Sequence, residues 1–98
     1  MSVRRNKLDI IYEILEFIEN RSNPRITPLM YRINISYSAT KLYLEFLEKK
    51  KLIEMISQKP KIYRLTAKGK QFLQNMKLLK ELAEVETFAQ IRKKPKRM

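Results

Sequence analysis

The side chains able to act chemically in this sequence are mostly cationic. Lys and Arg number 22 against 10 Asp and Glu, a formal charge of +12 over 98 residues. Ammonium and guanidinium groups bind phosphate, as point charges and as bidentate forks respectively. A surplus this large repels itself unless it meets an anionic partner, and nucleic acid is the commonest one. A charge kept for solubility is the plainer alternative. The distribution favours the first reading, because no acidic residue occurs between Asn20 and Leu44 or between Met55 and Lys80. Those stretches carry Arg32, Ser36, Ser38, Ala39, Lys41, Leu42, Lys59 and Lys61, and the basic lead adds Arg4 and Arg5. Any one of these charges taken singly is as readily a solvated surface group; the clustering is what points to a polyanion. Other chemistry lacks its parts. Cysteine and histidine are both absent, which leaves no nitrogen–sulfur zinc site, no Cys–His nucleophile and no histidine base. With a single glycine there is no phosphate-cradling loop, and the carboxylates sit on helix surfaces beside lysines. An enzyme is not expected, and no cofactor, metal or small-molecule ligand is inferred.

The elements that must position these groups lie between Ile26 and Leu65. Thr27 reads as an N-cap with Pro28 at the first helical position, giving a short helix to Ile33 with Leu29, Met30 and Ile33 inward and Arg32 outward. Asn34 suits a left-handed residue closing that helix, and Ile35 plugs the turn. Ser36 caps a helix from Tyr37 to about Lys50. Its inward stripe is Tyr37, Thr40, Leu44 and Leu47, flanked by Tyr43 and Phe46, with Ser38, Ala39, Lys41, Leu42 and Glu45 outside. Leu52–Ile56 and Lys61–Leu65 read as strands joined by Ser57 to Pro60, an antiparallel hairpin with an irregular tip. Helix, turn, helix and hairpin in this order make a winged helix-turn-helix, which usually presents one helix to the major groove of DNA.

A first helix from about Arg5 to Asn20 carries two apolar stripes: Leu8, Ile11, Leu15 and Ile18, then Ile10, Ile14 and Phe17. The second stripe calls for packing beyond the helix-turn-helix itself. Thr66 caps a long final helix, Ala67 to about Gln90, also with two seams. Phe72, Met76, Leu79 and Ala83 form one, and Leu78, Leu82, Val85 and Ala89 the other. A protruding helix leaves the second seam in water unless a partner covers it, and a second copy in an antiparallel coiled coil fits. Both seams folding back onto one monomer is the alternative. The expected organisation is a winged helix-turn-helix over residues 1–66, a dimerisation helix over 67–90 and a disordered basic tail over 91–98. The fold class is mainly α with a small β-hairpin.

The segment MYRINISYSATKLYLEFLEKKKLIE, with KLDIIYEIL before it and YRLTAKGKQFL after it, resembles the small dimeric winged-helix DNA-binding and chromatin proteins of Sulfolobus and their transcription-factor and viral relatives. The resemblance runs from Lys7 to about Ala89. It implies DNA binding, an archaeal setting and a homodimer through an antiparallel coiled coil of the final helices. Thr40 and Leu42 depart from the family, which often carries a leucine and a basic residue there. Thr40 would loosen the core, and Leu42 would replace a polar contact by an apolar touch such as a thymine methyl.

The expected function is binding of double-stranded DNA by a homodimer. Ser36, Ser38, Ala39, Lys41 and Leu42 lead one helix into the major groove, while Arg4, Arg5, Arg32, Lys59 and Lys61 meet phosphates. Leu78, Leu82, Val85 and Ala89 form the dimer interface. A sequence-specific regulator and a general chromatin protein both remain open, since the reading face lacks the Arg or Asn of a bidentate base contact. A winged-helix module binding protein or RNA is the alternative from another class; exposed aromatics on the wing or third helix would favour RNA, whereas Tyr37, Tyr43 and Tyr63 read as core. No apolar run approaches a membrane span and no signal-peptide core follows the N-terminus, so the expected location is cytoplasmic, at the nucleoid, or in the host cytoplasm for a viral protein.

Overall fold

The structure is a computed structural model that describes residues 5–22 and 24–93, those from 83 onward by their backbone alone. Its elements are α1 (Lys7–Glu19), α2 (Ile26–Ile33), α3 (Tyr37–Lys49), β1 (Ile53–Gln58), β2 (Lys61–Leu65) and α4 (Ala67–Lys93). This is the winged helix expected from the sequence, mainly helical with one antiparallel hairpin.

Helix α1 starts later than expected because Asn6 and Asp9 form a capping box. The Asp9 amide donates to Asn6 Oδ1 at 2.9 Å and the Asn6 amide to Asp9 Oδ2 at 3.1 Å, which satisfies two of the first-turn donors a helix leaves orphaned. Ile11, Ile14, Leu15, Phe17 and Ile18 are all buried, drawn from both predicted stripes. The helix lies among α2, β2 and α4, so the partner required for the second stripe is found within the same chain. Leu8 is exposed, contrary to its predicted place, because the first turn reaches only a shallow groove against Phe72, Met76 and Leu79.

Helix α2 begins two residues earlier than predicted. Arg25, not Thr27, is its N-cap, and it makes no side-chain cap bond. Pro28 therefore stands third in the helix. Its missing N–H still costs nothing, since the first intrahelical donor is Leu29, whose amide reaches the Arg25 carbonyl at 3.2 Å. The turn behaves as expected, with Asn34 left-handed at φ 64°. Ser36 Oγ accepts the Ala39 amide at 3.0 Å and caps α3. Thr40 is fully buried, yet its hydroxyl donates to the Ser36 carbonyl at 2.8 Å. The polar atom that looked like a flaw in the core is satisfied.

The end of α3 was not anticipated in detail. Lys51 is left-handed at φ 64°, its amide reaches the Glu48 carbonyl at 2.9 Å, and the Leu52 amide reaches Leu47 at 2.9 Å. These bonds form a Schellman motif, with buried Leu47 and Leu52 as its apolar pair. Helix α4 then closes onto this corner. Thr66 Oγ1 donates to the Lys51 carbonyl at 2.6 Å and accepts the Gly69 amide at 2.9 Å. The Thr66 amide reaches the Leu52 carbonyl at 3.0 Å. Gly69 lies so close that a Cβ there would overlap the Leu52 carbonyl. One turn on, Leu73 is fully buried, although neither predicted seam of α4 includes it.

The wing is longer than read from sequence, since Ser57 and Gln58 belong to β1. Ile53, Glu54 and Met55 pair with Leu65, Arg64 and Tyr63; Ser57 and Gln58 pair with Ile62 and Lys61. Ile56 is the extra residue of a bulge between them, a device that twists an edge and ends regular pairing. The Tyr63 amide also donates to the Pro24 carbonyl at 3.4 Å, so the α1–α2 loop runs along β2.

Two substitutions at this corner should move stability in opposite directions. Gly69→Ala forces α4 off Leu52 and should cost about 3 kcal/mol. Lys51→Gly removes a left-handed side chain and should add about 1 kcal/mol. Urea unfolding of each variant measures both, and equal midpoints for all three proteins would contradict the packing described.

Candidate nucleic-acid interface

The residues predicted to face a partner fall into three places. Ser36, Ser38, Lys41 and Leu42 are exposed on the start and outer face of α3, while Ala39 is half-buried toward α1. Ser36 fixes the start of this helix through its cap, so the side chains of the first two turns project from a rigid base. Glu45 is also exposed and lies one turn beyond Lys41 on the same face. Its charge limits favourable contact with a polyanion to the first half of α3. Lys59 and Lys61 are exposed at the wing tip.

The remaining cations sit elsewhere. Arg5 donates to Glu13 at 2.7 Å. Arg32 is exposed but borders a cleft between α1 and α2 with Glu13, Glu16 and Arg21. Arg4 lies outside the described residues. Arg64, on the wing, is engaged by Glu54 at 2.7 Å. Lys77 reaches Glu19 at 3.6 Å and Lys80 reaches Asp9 at 3.5 Å, with the Lys80 ammonium also 4.9 Å above the Tyr12 ring. Much of the acidic side of α1 is thus turned toward α4 and away from α3. Ion pairs this exposed contribute little stability, but they dispose of negative charge.

Two aromatics depart from the sequence reading. Tyr37 is 53% exposed and Phe46 44% exposed, although both were placed at or beside the inward stripe of α3. Tyr37 is the first helical residue and projects past the packed body of the domain, where periodicity alone would turn it inward. Tyr31 on α2, which the sequence reading passed over, is 75% exposed. Tyr43 is half-buried and Tyr63 is buried, as expected. The long helix leaves Leu78, Leu79 and Leu82 exposed; the side chains of Val85 and Ala89, predicted in the same interface, lie outside the described residues. So do residues 94–98 of the basic tail, while residues 91–93 continue α4.

Among the described residues no group of three or more acidic side chains is placed to hold a metal ion, and no helix is long and apolar enough to cross a membrane. The arrangement is suited to binding by charge and shape.

Residues 4–84 match the family model described as winged helix-turn-helix. Among solved structures, the fold is similar to AF1382 from Archaeoglobus fulgidus, with a TM-score of 0.69 and 22% identity, covering 81% of this chain and 91% of that one. It is also similar to the multiple antibiotic-resistance repressor (MarR) from Listeria monocytogenes, with a TM-score of 0.59 and 17% identity, covering 88% of this chain and 69% of the repressor. At these identities the likeness is one of fold. No curated protein matches the sequence.

Tyr63 is buried on β2 within the electrostatic reach of Tyr37, Glu45 and Glu48 of α3, and its ionisation reports on the packing of the wing. Burial raises its phenol above the ordinary value of 10.0, and the charges of Glu48, Tyr37 and Glu45 raise it further. The unfolded chain therefore gives up this proton first. The stabilisation is complete below pH 10.0 and is lost as pH climbs through the raised value in the folded state. Tyr63→Phe should show a shallower alkaline loss of stability than the parent, with the two curves parallel at neutral pH. Parallel curves throughout the alkaline range would show that Tyr63 ionises equally in both states.

Proposed function

The chain belongs to the winged helix-turn-helix family, and from that premise we propose that it is a DNA-binding regulator acting as a homodimer on double-stranded DNA. The first two turns of α3 enter the major groove, with Ser38, Ala39, Lys41 and Leu42 toward the base edges and Ser36 at the backbone. Lys59 and Lys61 meet phosphates from the wing. The observation that carries this reading is the segregation of charge: Lys41, Lys59 and Lys61 are exposed and without an ion-pair partner among the described residues, while much of the acidic side of α1 faces α4. Phosphate contacts of this kind supply affinity and register, and base contacts supply specificity.

The dimer rests on α4. Three exposed leucines on a helix this long favour a second helix as cover, and the resemblance to the Sulfolobus chromatin proteins supplies the antiparallel arrangement. A two-fold pair of α3 helices suits a palindromic site. The small reading face of α3 suits modest specificity, so a chromatin role remains the neighbouring possibility within the same proposal. The reading is of a binding protein and not of an enzyme. Its setting is the cytoplasm, at the nucleoid.

One observation favours a second reading. Tyr31 and Tyr37 are the exposed aromatics that a module stacking on unpaired bases would use, and such stacking is sequence-tolerant. A duplex, a single strand of the same sequence and a duplex RNA separate the two. Regulator binding favours the duplex DNA, and one sequence over another after selection from random DNA. A preference for the single strand, reduced by Tyr31→Ala and Tyr37→Ala, would replace the duplex reading.

Lys59→Ala with Lys61→Ala should weaken duplex binding and, with two lysines removed from each of two protomers, lower the slope of log affinity against log salt by about 4. An unchanged slope would remove the wing from the interface. Leu78→Glu with Leu82→Glu should give a monomer by sedimentation and cut duplex affinity at least about tenfold. A dimer that survives this change is held elsewhere.

A further inference from the structure

Among the exposed residues of α3, Glu45 alone carries negative charge. It follows Leu42 by three residues, Lys41 by four and Ser38 by seven, the spacings that bring side chains onto one side of a helix. Lys41 and Lys49 flank it four residues before and four after, positions from which a helical lysine pairs with a glutamate. Glu45 nevertheless has no ion pair and no hydrogen bond among the described residues, although its charge reaches the Tyr63 phenol on the wing. Asp9, Glu13, Glu19 and Glu54, by contrast, each have a lysine or arginine beside them. Along the helix axis Glu45 lies about 12 Å beyond Tyr37, which matches the roughly 12 Å width of the major groove. A helix entering by its first turn therefore carries this free carboxylate over the base edges.

We propose that Glu45 is a specificity-determining residue, accepting a hydrogen bond from the exocyclic amino group of a cytosine in the major groove. The proposal rests on the duplex-DNA reading and deepens it by assigning a base. An ionised carboxylate accepts hydrogen bonds and donates none. In the major groove guanine presents two acceptors, N7 and O6, and thymine presents the O4 acceptor and a methyl group. Adenine presents its N6 amino group beside the N7 acceptor, whose lone pair repels the second carboxylate oxygen. Cytosine presents the N4 amino group with no acceptor of its own beside it, so its edge suits a carboxylate best. Lys41, one turn earlier, has the complementary preference, since an ammonium donates to guanine N7 and O6. The two side chains together favour G·C pairs. Affinity is lowered in return, because the charge of Glu45 is repelled by the phosphates whatever the sequence. Glu45 thus weakens every complex and weakens the one that offers it a cytosine least.

The test is site selection from random duplex DNA by the full chain, by Glu45→Gln and by Glu45→Ala, followed by affinities for duplexes substituted at one base pair. Glu45 is exposed, so neither change disturbs the core. The parent should select sites in which one position is held as cytosine, favoured there by about fivefold or more over the other bases. Glu45→Gln should move that position toward adenine, because an amide both donates and accepts and so matches adenine N6 and N7. Glu45→Ala should bind duplexes more tightly and lose the preference at that position alone. The same selected sequence for all three proteins overturns the proposal. So does a uniform tightening of every duplex in Glu45→Ala with discrimination intact, which would leave Glu45 a repelling charge that reads no base. Duplex binding by the parent without base preference overturns the proposal and leaves the duplex-DNA reading standing. If the parent binds no duplex at all, that reading falls and the role of Glu45 falls with it.

Discussion

The first turn of α4 can rest on the end of α3 only because residue 69 has no side chain. There the backbone of one helix meets the carbonyl of Leu52 at a separation that excludes even a methyl group. The approach lets Thr66 bond three backbone groups at once, at Lys51, Leu52 and Gly69. It also sends Leu73 into the centre of the core. The left-handed Lys51 has the same consequence from the other side, since it turns the chain sharply enough for Leu52 to begin the wing under α4. Helix α3, the wing and α4 are thus fastened at one corner, and the free ends of all three project away from it. A loop of ordinary flexibility at this corner would leave the wing and α3 with no fixed relation.

From that corner the electrostatics follow. Asp9 and Glu19 of α1 face the lysines of α4, and Glu13 takes Arg5. The start of α3 and the tip of the wing are left with positive charge unopposed. None of these exposed pairs adds much to stability. Their effect is on the field, because an acidic α1 turned toward α3 would cancel the attraction that steers a polyanion to it. Glu45 marks where this clearing ends, one turn beyond Lys41. The same helix presents a cationic and polar front and an apolar back. Leu42 and Ala39 stand at the edge between them.

Much was legible from residue types and spacing, and the reasons are local. Helix order, the Asn34 turn, the caps at Ser36 and Thr66 and both strands depend on interactions spanning a few residues, and each leaves its signature in those residues. The errors share a different origin. Thr27 looked like a cap because it precedes proline, but a helix tolerates proline anywhere in its first turn, and Arg25 begins it without a side-chain bond. Periodicity assigned Leu8 and Tyr37 inward because it locates the core-facing side of a helix and not where along the helix the core ends. Leu73 was passed over because the seam through Leu78 and Leu82 is regular, whereas the position of Leu73 follows from the close approach at Gly69.

The sequence by itself determined the winged helix-turn-helix, its basic character and the absence of histidine and cysteine chemistry, because composition and short-range pattern are properties of the chain before it folds. The tertiary structure decided which cations stay unpaired, which aromatics meet water and that an apolar groove opens behind Leu42. Those facts depend on distances between residues far apart in sequence, and burial and pairing of this kind come into being only when the helices pack.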